Sequence, residues 1–109
     1  MLVDFAESAL RKLCEDPREA KRKLGAASAK KLQSRLADLL AASQLGDVPA
    51  GNPHPLKGDR VGQFAMRLSG GHRLVMEAAD DPVPITADGA TDWKHVSSVR
   101  IVFIGDYHD

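Results

Sequence analysis

The sequence has almost no cysteine. Its single thiol, Cys14, excludes an internal disulfide and a zinc site built from cysteine pairs within 109 residues. We expect Cys14 to be a small buried residue on a helix. A chain without disulfides suits a reducing, cytoplasmic compartment.

Long apolar runs are absent as well. No stretch is long enough to cross a bilayer, and the opening MLVDFAESALRKL lacks the apolar segment and the small-residue cleavage site of a signal peptide. With 43% apolar and 28% charged residues, the composition is typical of a globular protein that has no membrane partner. The length favours a single domain over residues 1–109.

Motifs for common cofactors are missing too. There is no glycine-rich phosphate loop before a helix, no HExxH and no paired-carboxylate signature. The possible metal ligands are three histidines and one acid, whose spacing matches no metal motif: His54, His72, His108 and Asp106. The sequence therefore predicts a protein that needs neither a metal nor a cofactor.

Charge is balanced overall but unevenly distributed. The formal net charge is zero, yet residues 11–35 carry a balance of +6 and residues 54–73 one of +3, whereas residues 74–109 carry −5. One face of a neutral protein can therefore bind a polyanion. For residues 11–35 the alternative is an ordinary solvated helix face.

The first half of the chain has the pattern of a strand followed by helices. Residues 2–5 indicate a short strand, and the apolar spacing from about Glu7 indicates a helix. The pair Asp16-Pro17 ends that helix, because the residue before a proline disfavours the helical conformation.

A second helical region spans residues 18–43 and is interrupted near Gly25. Its leucines form an apolar stripe that we assign to the core: Leu32, Leu36, Leu39 and Leu40. We expect Arg35 to face away from much of this stripe, as do the neighbouring lysines.

The second half of the chain has the pattern of a loop followed by a hairpin. Glycine, proline and asparagine are dense over residues 46–58, which indicates an irregular loop that carries His54. Two apolar runs then flank a Gly-Gly pair, a hairpin signal. Alternation places Arg67 and Arg73 together on the face away from the core. Adjacent arginines repel each other, so we expect either a neighbouring acid, such as Glu77, or a bound phosphate.

The last part of the chain has a buried strand followed by three chemically versatile residues. Residues 99–104 are apolar on both faces, which is typical of an interior strand. Asp106, Tyr107 and His108 then offer an acceptor, a phenol and an imidazole that titrates near neutral pH. We predict a functional site at this end of the strand.

Two histidines, a tyrosine and several cations together fit one reaction. RNA is cleaved without metal when its own 2′-hydroxyl attacks the adjacent phosphate, which requires a base, an acid and positive charge at the phosphate. His54 and His108 can each serve in proton transfer. The cations that can supply the charge are Lys57, Arg60, Arg67 and Arg73. Which histidine is the acid and which is the base stays open.

The stretch HPLKGDRVGQFAMRLSGGHRLVME, followed by VRIVFIGDYHD, resembles the HigB-type toxins, the killer proteins of plasmid maintenance systems within the RelE/ParE toxin superfamily. FAESALRKLCED and AKKLQSRLADLLAAS resemble the helical half of the same family, so the resemblance covers nearly the whole chain. It implies an α+β fold with an N-terminal strand and two helices packed on a small curved antiparallel sheet. It also implies a ribosome-dependent mRNA endoribonuclease that inhibits translation in the cytoplasm.

The same resemblance implies partners and site residues. The partners are a cognate helix-turn-helix antitoxin, the ribosome with its mRNA, and operator DNA reached through the antitoxin. The implied active-site residues are His54, Arg73, Asp106, Tyr107 and His108. The implied RNA-binding residues are Lys57 and Arg60, to which the strand alternation adds Arg67.

The chain departs from that family at two positions. Phe103 stands where members often have an acid, and His72 stands where they often have an aromatic residue; His72 could bring a third imidazole to the site. Two alternatives stay open. One is an inactive or weak member that chiefly binds its antitoxin, and the other is a ParE-like gyrase inhibitor that cuts no RNA and does not need His54 and His108 together.

Overall fold

Helices and strands combine in an α+β fold, as predicted, in a computed structural model that describes residues 1–106. The elements are β1 (Leu2–Phe5), α1 (Ser8–Glu15), α2 (Pro17–Leu24), α3 (Ala26–Ala41), β2 (His54–Pro55), β3 (Phe64–Arg67), β4 (His72–Ala78) and β5 (Ser98–Asp106). Short 3-10 turns lie at Leu45–Asp47, Gly58–Arg60 and Trp93–His95. Within the described residues, none of the helices has the length and apolar character needed to cross a membrane.

The helical half contains three helices, one more than the family resemblance implied. Asp16 starts α2, because its side chain accepts hydrogen bonds from the backbone N–H groups of Arg18 at 3.0 Å and Glu19 at 3.4 Å. Pro17 occupies the first turn of α2, where its missing N–H costs nothing. Gly25 separates α2 from α3 with a φ of +85°, a conformation that favours glycine. Both predicted interruptions are therefore confirmed.

The five strands form one sheet in the order β1-β5-β4-β3-β2. Three of the four ladders are antiparallel, while β1 runs parallel to β5. The chain passes through three helices and the hairpin between β1 and β5, and a connection of that length permits parallel pairing. The sheet is therefore antiparallel except at the β1 edge.

The three helices and one face of the sheet share the main core. The main core contains leucines of α3 and alternate residues of the strands, among them Leu32, Leu36, Leu39, Met66, Leu74, Met76 and Ile101. Three of the four predicted stripe leucines are buried, but Leu40 is 63% exposed. The prediction for Arg35 is wrong: only 8% of this residue is exposed.

The opposite face of the sheet, which we call the open face, carries a second and smaller apolar cluster. Its buried members are Leu56, Ala65 and Val75, and Val102 and Phe103 pack against them. Because the helices contact the other face, charged residues of β3 and β4 that alternate with the main core lie around this cluster. The open face is therefore where the predicted site residues of the hairpin are found.

Candidate functional site

Pairing of β3 with β4 brings the two hairpin arginines together. Arg67 is the register partner of Arg73, as the strand alternation predicted. Arg73 is in turn opposite Gly105 of β5, a position without a side chain. The two guanidinium groups therefore extend from neighbouring positions on the open face.

Among residues 1–106, no acid neutralises these two arginines. Glu77, the acid considered as their partner, forms an ion pair with its own register partner Arg100 at 3.3 Å. Within residues 1–106, no carboxylate lies within 4.0 Å of Arg67 or Arg73. Arg73 donates instead to the backbone carbonyls of Gly70 at 3.1 Å and His72 at 3.0 Å. The acids of residues 1–106 therefore leave the positive charge of Arg67 and Arg73 available to an anion.

His54 lies on the same face as the arginines. Successive register pairs join His54 to Ala65, Ala65 to Val75 and Val75 to Phe103, so these four residues form one row across the sheet. Arg67 and Arg73 occupy the next row, about 7 Å further along the strands. Residues that pair directly across antiparallel strands share a face, so His54 and both arginines surround one patch of the sheet.

The imidazole of His54 is held in one tautomer. Its Nδ1 atom lies 2.7 Å from the backbone carbonyl oxygen of Asn52. Because a carbonyl oxygen can only accept a hydrogen bond, Nδ1 carries the hydrogen. In the neutral ring, Nε2 is then a proton acceptor, which is the property of a general base.

The loop that carries His54 is tied to the sheet on both sides. Before His54, the carbonyl of Gly51 accepts a 2.7 Å hydrogen bond from the backbone N–H of Arg67. After it, the backbone N–H of Leu56 donates to the carbonyl of Gln63 at 2.9 Å. The predicted irregular loop thus contains a short strand, β2, which fixes His54 against β3.

Arg60 and Phe103 form a stacked pair at the β5 end of the row that begins with His54 on β2. The guanidinium carbon of Arg60 lies 4.8 Å from the centroid of the Phe103 ring, and its Nη1 donates to Oε1 of Gln63 at 3.0 Å. Lys57 is exposed at the start of the same 3-10 turn. Phe103 was not predicted as a site residue. The signal that could have found it is its alternation with Gly105, which places it opposite the hairpin on the open face.

His72 does not contribute a third imidazole to this site. Its Nδ1 lies 2.7 Å from the hydroxyl of Ser28, a residue of α3 that is only 2% exposed. His72 alternates with Arg73 along β4, so its side chain is directed to the helix-covered face. That part of the prediction is wrong.

Asp106 lies at the hairpin end of β5. It is the register partner of His72, and this pair alternates with the pair of Arg73 and Gly105 along the strands. Its carboxylate lies against Gly71, where an added Cβ would be 2.9 Å from Oδ1. The structure does not bring Asp106 into the row of His54. The predicted site residues Tyr107 and His108 lie outside the described residues.

Four of the nine cations in residues 11–35 form an ion pair with an acid of residues 1–106, namely Arg11, Lys12, Arg22 and Lys23. Glu19 is 9% exposed and forms ion pairs with Lys12 at 3.4 Å, with Lys23 at 3.6 Å and with Arg22. Burial by itself raises the pKa of Glu19, but the hydrogen bond and charge of Arg22, with the charge of Lys12, outweigh it and lower the pKa. For the three cations around Glu19, this neutralisation favours the interpretation as a solvated helix face.

Cys14 is buried, as predicted. Burial, followed by the charge of Glu15, raises its pKa to about 12, so the group is a thiol at neutral pH and a poor nucleophile. Across residues 1–106, no three histidine, cysteine, aspartate or glutamate side chains lie close enough to hold a metal ion.

Solved structures share this fold, although no protein-family model and no curated protein matches the sequence. A YoeB/ParE toxin from Agrobacterium tumefaciens superposes with a TM-score of 0.60 at 16% identity, covering 99% of this chain and 100% of that one. YoeB structures from Staphylococcus aureus are also similar at 19% identity. One from a YoeB-YefM complex has a TM-score of 0.58 over 100% of this chain and 99% of that one. One from a YoeB dimer has a TM-score of 0.55 over 100% and 98%. These likenesses confirm the predicted fold.

Proposed function

We propose that this chain is the toxin of a type II toxin–antitoxin system, of HigB type within the RelE/ParE superfamily, and a ribosome-dependent mRNA endoribonuclease. The fold shared with YoeB/ParE toxins supports the toxin assignment. One observation supports the nuclease above all others. His54 has Nε2 as an acceptor and shares a face with Arg67 and Arg73, two cations without a carboxylate neighbour among residues 1–106.

The proposed reaction begins at His54. Its Nε2 takes the proton of the RNA 2′-hydroxyl, and the 2′-oxygen forms a bond to the adjacent phosphorus. The bond from phosphorus to the 5′-oxygen then breaks, and an acid returns a proton to that oxygen. We assign the acid to His108. The products are a 2′,3′-cyclic phosphate and a 5′-hydroxyl, and no oxidant or metal takes part.

Arg67 and Arg73 have the electrostatic role in this proposal. Negative charge accumulates on the phosphate oxygens as the 2′-oxygen attacks, and fixed cations stabilise that charge more than they stabilise the ground state. A guanidinium also matches two phosphate oxygens geometrically. Arg60 stacks on Phe103 at the end of the row of His54, and in this proposal Arg60 and the exposed Lys57 contact the flanking RNA backbone. Tyr107 positions the substrate in this scheme, and Asp106 holds the end of β5 at the hairpin.

The partners follow the same assignment. A protein of the same fold is found in a YoeB-YefM complex, which supports a dedicated protein partner for this chain as well. We propose that this partner is a helix-turn-helix antitoxin, and that the antitoxin binds operator DNA on behalf of the complex. The toxin itself acts in the cytoplasm, on mRNA held by the ribosome.

The test is a reconstituted translation reaction in which mRNA ends are mapped by primer extension, with and without ribosomes. We expect cuts at defined codon positions when ribosomes are present, with 2′,3′-cyclic phosphate ends. His54→Ala should reduce the rate about 10²- to 10⁴-fold, the usual contribution of a general base. His95→Ala is the matched control, because that exposed histidine pairs with Asp92 at 2.7 Å in another part of the fold.

The other outcomes separate the alternatives. Cuts on naked RNA would keep the nuclease and remove the ribosome from the mechanism. A folded protein that stops growth and inhibits gyrase without cutting RNA would be a ParE-like inhibitor. A folded protein that binds its antitoxin but neither cuts RNA nor slows growth would be an inactive binding module. Full cleavage by His54→Ala would contradict the assignment of the base.

A further inference from the structure

Arg35 of α3 is a buried cation that the proposed reaction does not use. Only 8% of it is exposed, and within residues 1–106 no carboxylate lies within 4.0 Å of it. Burying a charge without an opposite charge is costly, so an aliphatic residue would suit this position better if packing were its sole role. The contacts of the guanidinium therefore indicate what it does.

The first contact joins Arg35 to the strand that carries Arg67. Nε of Arg35 donates a 2.9 Å hydrogen bond to the backbone carbonyl of Arg67, 32 residues away in the sequence. The backbone N–H of Arg67 donates in turn to the carbonyl of Gly51 at 2.7 Å. The end of β3 is thus held by α3 on one side and by the loop on the other.

The second contact joins Arg35 to the loop itself. Gly51 has a φ of +91°, and a Cβ at this position would lie 2.6 Å from Nε of Arg35 and 2.9 Å from its Cδ. The loop backbone therefore rests directly on the arginine side chain. Any side chain at this position would both strain the backbone and displace the guanidinium.

The loop then leads to the imidazole. Asn52 follows Gly51 with a φ of +46°, and its carbonyl accepts the hydrogen bond from Nδ1 of His54 at 2.7 Å. The direction of that carbonyl is set by the backbone of these two residues. Arg35 supports that backbone, so a continuous set of contacts runs from α3 to the tautomer of His54.

We infer that Arg35 is a positioning residue for His54. It fixes the Gly51-Asn52 backbone so that the Asn52 carbonyl holds hydrogen on Nδ1 and leaves Nε2 as the acceptor on the open face. The consequence for RNA cleavage rests on the proposed function, in which His54 is the base. The consequence for the tautomer does not depend on RNA.

The experiment compares the His54 tautomer and the cleavage rate in the same variants. Imidazole nitrogen chemical shifts identify which ring nitrogen carries the hydrogen. The variants are Arg35→Met, Arg35→Lys and Gly51→Ala. Gln33→Met is the matched control, since Gln33 is also on α3 and donates at 3.0 Å to a backbone carbonyl, that of Cys14, away from the site.

We expect the wild type and Gln33→Met to show hydrogen on Nδ1. Arg35→Met and Gly51→Ala should shift His54 toward the other tautomer and lower kcat by about tenfold to hundredfold, the effect of a misplaced catalytic group, with a smaller change in KM. Arg35→Lys should be intermediate, because an ammonium can still donate to the Arg67 carbonyl but lacks the planar geometry of the guanidinium.

Two results would overturn the inference: an unchanged tautomer in folded Arg35→Met, or an equal shift in Gln33→Met. If Arg35→Met does not fold, Arg35→Lys decides the question, because it keeps the charge and alters only the hydrogen-bonding geometry of the side chain, and an unchanged His54 tautomer in that folded variant would overturn the inference. If the wild type cuts no RNA but the tautomer shifts as expected, the proposed function fails and the positioning role is upheld. If RNA is cut and the tautomer is unchanged, the positioning role fails alone.

Discussion

Two groups of cations in this chain differ in what surrounds them. The helical cations, Lys12, Arg22 and Lys23, converge on the buried carboxylate of Glu19. The open-face arginines, Arg67 and Arg73, have no carboxylate within 4.0 Å among residues 1–106. The segment with the larger positive balance therefore has three of its cations gathered around one acid, and a charge count along the sequence does not by itself locate an anion site.

The difference follows from the geometry of the two elements. Glu19 meets Arg22 and Lys23 at spacings of three and four residues, which a helix always brings together. On the open face, the row next to the arginines is apolar, since Ala65 and Val75 occupy it. The nearest acid further along β4, Glu77, is bound to Arg100. Strand pairing therefore gives the open-face arginines apolar neighbours in the adjacent row, whereas helical spacing gives Arg22 and Lys23 an acid.

The largest expected effect tests the functional side of this comparison. Arg67→Gln together with Arg73→Gln should weaken binding of a non-cleavable 2′-O-methyl RNA, because each charge-assisted hydrogen bond contributes about 1.5–3 kcal/mol. A plot of the logarithm of the binding constant against the logarithm of the salt concentration should also have a slope smaller in magnitude by about one for each lost phosphate contact. A binding titration over a range of salt concentrations measures both. Arg22→Gln is the control, and an equal loss in that variant would abolish the distinction between the two groups.

The next effect tests the structural side. Glu19→Gln leaves the helical cations without their shared carboxylate, so we expect a lower melting temperature and unchanged RNA cleavage. Glu15→Gln is the control, since Glu15 is exposed and its 3.8 Å ion pair with Arg11 should contribute little. Thermal unfolding followed by circular dichroism compares the two. Loss of RNA cleavage in folded Glu19→Gln would show that the helical cations also take part in function.

The pH dependence of stability sharpens the same point. The pKa of Glu19 is lowered from 4.5 in the folded protein, so its ion pairs stabilise the fold above pH 4.5 and are lost as the pH falls through the lower folded value. The difference in unfolding free energy between wild type and Glu19→Gln should therefore be largest near neutral pH and shrink in acid. Urea unfolding at a series of pH values measures it. A difference that stays constant down to strongly acidic pH would contradict this assignment.

The smallest expected effect concerns the stacked pair at the edge of the site. Phe103→Leu removes the ring under Arg60, an interaction of about 0.5–1 kcal/mol at an exposed site, and should weaken RNA binding about two- to fivefold. Phe5→Leu is a close control, because Arg11 stacks on Phe5 at the same 4.8 Å distance but away from the open face. Equal RNA binding by the two variants would exclude a role for the Phe103 ring.

The sequence by itself determined the local features of this protein. The helix boundaries at Asp16 and Gly25, the hairpin, and the adjacency of Arg67 to Arg73 follow from capping, backbone preference and strand alternation. Each of these depends on residues that are near one another in the chain or on a two-residue period. The α+β fold was predicted from the family resemblance and confirmed. The roles of Tyr107 and His108 stay predictions.

Tertiary structure decided the chemistry of the site. Whether Arg35 is buried and whether His72 faces Ser28 both depend on contacts between separate elements. Ser28 and His72 are 44 residues apart, and Arg35 and Arg67 are 32 apart. Residue type and period indicate which face of an element a side chain is on, but not which element packs against that face. The partner atom of such a side chain is in place only after the elements have packed.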